Sequence, residues 1–203
     1  MPVKITKLNL KKILVLILLI AAAVSCQDKL DVVDDLSSSG FSLVDQTGTK
    51  QNFPAMTKGK LTVVGYIFTN CPDICPLTTN NMRIIQEKLN SDKVNNVEFV
   101  SISFDPMQDN PETLSKFAEV RNLDLSNWKF LTGDKIVIDS LTKRIGILAV
   151  VSDSTVFKDG RKIYYFTHTD RIQLMDEEGR IRKNYTGSDI NIDEIVSDIK
   201  LLQ

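Results

Sequence analysis

Two cysteines with three residues between them constrain the fold of this chain more than any other feature. Cys71 and Cys75 are each followed by proline, and they lie between an apolar run at 61–68 and four apolar residues at helical spacing from Leu77 to Leu89. Since proline disfavours the helical region for the preceding residue, we expect both cysteines to be extended. Pro76 suits the first helical position, which makes Cys75 the predicted cap. A helix start favours thiolate, so the loop is predicted to hold reactive sulfur.

Strand and helix patterns alternate along the rest of the chain and predict an α/β sandwich around a central mixed sheet. The predicted strands are 41–44, 51–53, 61–68, 97–104, 128–131, 147–157, 162–166, 171–175 and 180–185, and the predicted helices are 77–89, 111–120, 134–145 and 191–202. The first two strands form an N-terminal hairpin, and 147–157 with 162–166 form an inserted hairpin before the only histidine. A reactive pair between the first long strand and the first helix points to the thioredoxin arrangement, which spacing alone would not show.

The first 25 residues are predicted to be a signal peptide. Four lysines precede an uncharged run at 13–24 that is too short to span a bilayer comfortably, and small residues follow. The run ends in Ala-Val-Ser-Cys, which resembles the lipobox of bacterial lipoproteins with Cys26 as the lipidated residue. Residues 26–40 are then a polar tether, and 41–203 are the domain. The alternative is an uncleaved signal anchor in which Cys26 has no role.

Composition and charge narrow the function classes. With 42% hydrophobic and 25% charged residues, the chain is typical of one globular domain with a leader. Cleavage before Cys26 would remove four lysines and leave 21 basic and 26 acidic residues, a net charge of about −5. Nucleic-acid binding usually needs a basic patch, and nothing in the sequence suggests one. Outside the cytoplasm the remaining pair, Cys71 and Cys75, can oxidise, so a partner or a metal must manage its redox state.

His168 is the third residue that could carry chemistry. A lone histidine is more often structural, but in a thioredoxin-like fold the loop that carries His168 faces the cysteine loop. Two thiolates and an imidazole form a soft set that suits Cu(I), Cu(II) or zinc. Structural zinc favours a closed set of four ligands, whereas an open set of three suits copper that is handed on. The other possibility for the pair is a disulfide, and its small loop favours a redox-active one.

Several motifs together are similar to the SCO/SenC family, thioredoxin-like copper-binding proteins that assist assembly of the dinuclear copper centre of cytochrome c oxidase. The resemblance covers 41–203. The matching motifs, in chain order, are Cys-Pro-Asp-Ile-Cys-Pro at 71–76, Asp-Pro-Met-Gln-Asp-Asn-Pro at 105–111, Trp-Lys-Phe-Leu-Thr-Gly at 128–133, Phe-Thr-His-Thr at 166–169 and Asp-Glu-Glu-Gly at 176–179.

This resemblance implies that Cys71, Cys75 and His168 are copper ligands for Cu(I) and Cu(II). It also implies three partners: a copper-receiving oxidase subunit of the cytochrome c oxidase subunit II type, a copper donor and a thiol reductant. Many members have aspartate immediately before the histidine, where this chain has Thr167, so a carboxylate that orients the imidazole is in doubt. Asp73 and Asp105 are expected near the loop, where capping of a turn and a strand end explains them equally well.

The leading hypothesis is therefore a metallochaperone rather than an enzyme that turns over. It would be lipid-anchored in a bacterial cell envelope, with the domain outside the cytoplasm. A thiol–disulfide oxidoreductase that keeps a partner's cysteines reduced is the second hypothesis, and it uses the same two sulfurs. A thiol peroxidase or redox sensor is the third, in which His168 has no evident role.

Overall fold

The structure, a computed structural model, describes residues 30–71, 73–160 and 162–203, so the predicted signal peptide and Cys26 lie outside the described residues. The strands are β1 (Asp34–Asp35), β2 (Phe41–Asp45), β3 (Lys50–Phe53), β4 (Leu61–Ile67), β5 (Val97–Ser103), β6 (Trp128–Thr132), β7 (Ala149–Val156), β8 (Lys162–His168), β9 (Ile172–Met175) and β10 (Arg180–Tyr185). The helices are α1 (Ile74–Ser91), α2 (Pro111–Val120), α3 (Lys135–Arg144) and α4 (Ile192–Leu202).

Eight strands form one mixed sheet in the order β1-β10-β9-β4-β5-β6-β2-β3. The three strands β4, β5 and β6 pair in parallel, and the remaining pairs of the sheet are antiparallel. Strands β7 and β8 form a separate two-stranded sheet. The predicted α/β architecture is confirmed, including the N-terminal hairpin β2–β3 and the inserted hairpin β7–β8, although β8 extends two residues beyond the predicted end and includes His168.

Strand β4 lies at the centre of the sheet because its sequence is apolar on both faces. All seven of its residues are buried, between β5 on one side and β9 on the other. Parallel strands end at the same edge of a sheet. Phe68 after β4 and Phe104 after β5 therefore lie side by side, and the amide of Phe104 donates to the carbonyl of Ile67 at 3.0 Å.

Helix α1 packs across the central strand through a close contact. Met82 is fully buried, and a Cβ added to Gly65 in β4 would lie 2.5 Å from the Met82 sulfur. Ile85 and Leu89 face inward as predicted, but Leu77 is 49% exposed. The inward position in the first turn is taken by Thr78 instead.

The folded domain begins before residue 41. Strand β1 pairs with β10, the amide of Val33 donates to the carbonyl of Ile181 at 2.8 Å, and Leu36 is fully buried. The predicted boundary was therefore wrong, because an apolar residue within the polar stretch docks it onto the sheet edge. Within the described part of the chain, no helix is both long enough and apolar enough to cross a membrane.

The contact between Gly65 and Met82 yields a prediction about stability. Gly65→Ala should lower the free energy of unfolding by about 1–3 kcal/mol, because the new methyl group overpacks the interface between helix and sheet. Urea unfolding measures this. Gly65→Ala with Met82→Ala should cost less than the sum of the two single changes. Gly40→Ala, at an exposed glycine, is the control, and a cost for Gly65→Ala no larger than the control's would contradict the prediction.

Candidate metal site

The cysteine loop follows β4 directly, and its backbone is tied to the strand end. The Cys71 amide donates to the Phe68 carbonyl at 3.3 Å, and the Phe68 amide donates to the Cys75 sulfur at 3.4 Å. Helix α1 begins at Ile74, with Asp73 at the cap position. Cys75 therefore lies inside the first turn, and its predicted roles as an extended residue and cap were wrong. Pro76 is tolerated at the third helical position because first-turn amides lack intrahelical acceptors.

The free amide of this first turn acts on the other cysteine. The Cys75 amide donates to the Cys71 sulfur at 3.4 Å. The hydrogen bond from the Cys75 thiol, followed by the backbone amides of Cys75 and Asp73, lowers the pKa of the Cys71 thiol to about 5, against the opposing effect of burial. The same thiol contact and burial raise the pKa of the Cys75 thiol above its ordinary value. Cys71 is therefore the more acidic thiol of the pair, and Cys75 is the one that retains its proton more strongly.

A buried carboxylate, Asp109, supports the cysteine loop from below. Its two oxygens accept hydrogen bonds from the Thr69 amide at 3.0 Å, the Thr69 hydroxyl at 2.5 Å and the Ser103 hydroxyl at 2.6 Å. The pKa of Asp109 is raised, because the effect of burial exceeds the opposing effect of these hydrogen bonds. Asp109 lies within the Asp-Pro motif at 105–111, but its role could not be predicted, because no local pattern connects it with a loop 40 positions earlier.

His168 is the last residue of β8, and the fold brings it to the cysteine pair as predicted. Its Nε2 lies 3.8 Å from the Cys75 sulfur. Its Nδ1 lies 3.2 Å from the carbonyl oxygen of Thr169. A carbonyl only accepts hydrogen bonds, so Nδ1 is assigned the proton and Nε2 presents its lone pair to the sulfurs. A backbone carbonyl thus fixes the ring, in the role that the missing carboxylate before His168 would have had.

Three phenylalanines form an aromatic wall around the imidazole. The ring centroids of Phe104 and Phe68 lie 4.9 Å and 6.0 Å from that of His168. The ring centroid of Phe166 lies 5.1 Å from that of Phe68 and 5.3 Å from that of Phe104. Sequence reasoning did not assign these rings to the site, although two of them directly follow the parallel strands. The contacts with Phe68 and Phe104 restrict rotation of the partly buried imidazole.

The two sulfurs and the imidazole nitrogen form a compact donor set. These ligand atoms of Cys71, Cys75 and His168 all lie within 4.8 Å of one another. Within residues 30–71, 73–160 and 162–203, no carboxylate completes the group. A closed four-ligand zinc site is therefore not formed by these residues, and the donor chemistry fits a soft metal in an open site.

The two aspartates expected near the loop differ in role. Asp73 is exposed and makes no side-chain capping bond. Asp105 is 3% exposed, and both of its oxygens accept from the Tyr164 hydroxyl at 2.8 Å. Burial raises the pKa of Asp105, partly offset by that hydrogen bond. Asp105 and Tyr164 line a cavity of about 410 Å³ beside Phe104 and Phe166, so Asp105 borders the aromatic wall and is not in the donor set.

Comparison with known proteins relates this geometry to a family. The SCO1/SenC family model matches residues 33–202. A SCO1/SenC family lipoprotein from Bacillus anthracis is 32% identical and superposes with a TM-score of 0.67 over 83% of this chain and 95% of that chain. ScoI from Bradyrhizobium japonicum, solved with copper bound, is 27% identical, with a TM-score of 0.67 over 81% of this chain and 98% of that chain.

A third similar structure is that of BsSco. BsSco, in which a disulfide switch has been identified, is a member of the Sco family of cytochrome c oxidase assembly proteins. It is 28% identical to this chain, with a TM-score of 0.69 over 86% of this chain and 98% of that chain. Because the family model spans most of the sequence and the folds agree, this chain belongs to the SCO1/SenC family.

Proposed function

We propose that this chain binds copper through Cys71, Cys75 and His168 and hands the metal to another protein. The observation that carries the proposal is the convergence of two sulfurs and an imidazole nitrogen within 4.8 Å. Thiolates favour Cu(I), and an added imidazole also suits Cu(II). The copper-bound structure of the related ScoI from Bradyrhizobium japonicum supports copper as the metal.

The geometry favours a metal that is exchanged over one that is retained. Three donors leave a coordination position open, and Cys71 is 9% exposed at the site's surface. A ligand from another protein can therefore reach the site without unfolding it. Sco proteins assist cytochrome c oxidase assembly, and we propose the oxidase subunit with the dinuclear copper centre as the recipient. A copper donor and a thiol reductant are the further partners.

We also propose that the protein is anchored by lipid at Cys26, with the domain outside the cytoplasm. The basic leader and the lipobox-like run support the anchor. The relative from Bacillus anthracis is a lipoprotein, which supports the same arrangement. An extracytoplasmic site explains why a cysteine pair that can oxidise needs a reductant.

A second candidate function is thiol–disulfide exchange. A thiolate at Cys71 beside a buried thiol at Cys75 is the arrangement that an exchange reaction uses, in which one sulfur attacks and the other resolves. The disulfide switch of BsSco supports this chemistry. His168 distinguishes the two candidates, because exchange between thiols needs no imidazole lone pair facing the sulfurs.

Copper titration of the reduced domain tests the ligand set. We expect one copper per chain, with thiolate-to-copper charge-transfer absorption in the divalent form. Cys71→Ser and Cys75→Ser should abolish binding of both oxidation states. His168→Ala should weaken Cu(II) binding more than Cu(I) binding, since two thiolates alone satisfy the softer ion.

Thr167→Ala is the matched control for the titration, because Thr167 is exposed and directly precedes the histidine. It should bind both ions like the parent. Equal loss of Cu(I) and Cu(II) in His168→Ala would contradict the proposed split.

The lowered pKa of Cys71 predicts how its reactivity depends on pH. An ordinary cysteine has a pKa of about 8.5. In the reduced, metal-free protein, alkylation of Cys71 should therefore stay fast as the pH falls below 8 and reach half its maximal rate only near pH 5. Because folding lowers the pKa of Cys71, its ionisation stabilises the folded state. This contribution is fully present above about pH 8.5, the pKa of an unfolded cysteine, and is lost as the pH falls through the pKa of about 5 in the folded protein.

Peptide mapping by mass spectrometry after short exposure to iodoacetamide measures the two cysteines separately. Cys75 should react slowly throughout, and the urea-denatured protein gives the unperturbed profile. A half-maximal rate for Cys71 near that of the denatured protein would overturn the assignment of the thiolate.

A further inference from the structure

A second carboxylate, Asp170, lies two residues after His168 and links the histidine segment to other parts of the fold. Its oxygens accept hydrogen bonds from the Ser188 amide at 3.0 and 3.1 Å and from the Ser188 hydroxyl at 2.6 Å. The hydroxyl of Thr78 lies 3.2 Å from one of the same oxygens and 3.1 Å from the carbonyl oxygen of Ile74, so its one proton is shared between the two acceptors. Thr78 is 1% exposed and lies on α1, three residues after Cys75. Asp170 therefore joins the histidine segment to the cysteine helix.

The carboxylate of Asp170 and the side chain of Thr78 pack closely against the backbone at Gly187. A Cβ added to Gly187 would lie 2.5 Å from an Asp170 oxygen and 2.9 Å from two side-chain atoms of Thr78. The side-chain amide of Asn81 donates to the carbonyls of Gly187 and Ser188 at 2.8 and 3.1 Å. The loop before α4 is thereby fixed on α1, and Asp170 is held between them.

His168 needs such a link more than the cysteines do. It ends β8, and the β7–β8 hairpin is not hydrogen-bonded into the eight-stranded sheet. The main sheet resumes only at Ile172, so the register of β9 does not by itself fix the position of His168. The cysteine loop, in contrast, is held by the end of β4 and by Asp109.

We propose that Asp170 is a positioning residue that holds the His168 imidazole where its Nε2, 3.8 Å from the Cys75 sulfur, can share a metal ion with that sulfur, and so sets how strongly the site prefers Cu(II). The inference rests on the proposed copper function. The link runs from Cys75 along one helical turn to Thr78, across the hydrogen bond to Asp170, and back two residues to the histidine. Both sulfurs keep their positions without it, so binding of Cu(I) by two thiolates does not depend on Asp170.

The test compares Asp170→Ala with Asp189→Ala, which removes an exposed carboxylate from the loop that carries Ser188. Asp170→Ala should lower the Cu(II) affinity of the reduced domain about 10- to 100-fold, the usual cost of losing support for a metal ligand. Its Cu(I) affinity should stay at the parent value. Asp189→Ala should match the parent for both ions. Electron paramagnetic resonance should show weaker imidazole nitrogen coupling to Cu(II) in Asp170→Ala alone.

Two further variants keep the inference testable where Asp170→Ala fails to fold. Asp170→Asn should give an intermediate Cu(II) affinity, because its amide oxygen still accepts from Ser188. Thr78→Val removes only the hydroxyl of the link and keeps the shape of the side chain, so it should weaken Cu(II) binding with little change in Cu(I) binding.

The outcomes separate this inference from the proposed function. A parent protein that binds no copper would overturn both. A parent that binds copper, with Asp170→Ala or Thr78→Val unchanged in Cu(II) affinity and nitrogen coupling, would overturn only the role of Asp170. Equal loss of Cu(I) and Cu(II) in folded variants would also overturn it, because that result indicates general support of the fold.

Discussion

The buried sulfur of Cys75 is the atom on which the site depends. It is fully shielded from solvent, yet it accepts a hydrogen bond from the end of β4, contacts the Cys71 thiol and lies 3.8 Å from the His168 ring. These neighbours come from the end of β4, the cysteine loop and the β7–β8 hairpin. The Cys75 sulfur is therefore the point at which these three parts of the chain meet. The first turn of α1 supplies the amide that stabilises the second sulfur as thiolate.

Two carboxylates outside the donor set, the buried Asp109 and the partly buried Asp170, support the donors. Asp109 holds the cysteine loop through Thr69, and Asp170 is inferred to hold the histidine segment through Thr78. Neither carboxylate belongs to the donor group, so the set stays at three ligands. This division explains how a site can be well ordered and still give up its metal: rigidity comes from hydrogen bonds below the site, while the coordination sphere stays open.

The sequence predicts the parts that depend on local pattern. The apolar run of β4, the prolines beside the cysteines and the helical spacing after them are sufficient to predict a reactive pair where the strand leads into the helix, although Cys75 lies inside the first helical turn. His168 needed the fold as well, since only topology brings the inserted hairpin to the cysteine loop. Asp109 and Asp170 could not be predicted, because their partners lie 40 and 92 positions away. The start of α1 was misplaced because proline is tolerated throughout a first turn.

The central claim is that the fold holds His168 opposite the cysteines in order to carry metal. Copper loading of an oxidase in cells tests this claim most directly, with the parent, His168→Ala and Thr167→Ala compared in a bacterium that depends on this chain. Dithiol exchange by each purified variant is measured in parallel. We expect His168→Ala to retain exchange but to leave the oxidase deficient in copper, while Thr167→Ala supports full loading. Full loading by His168→Ala would contradict the carrier function and favour the reductase.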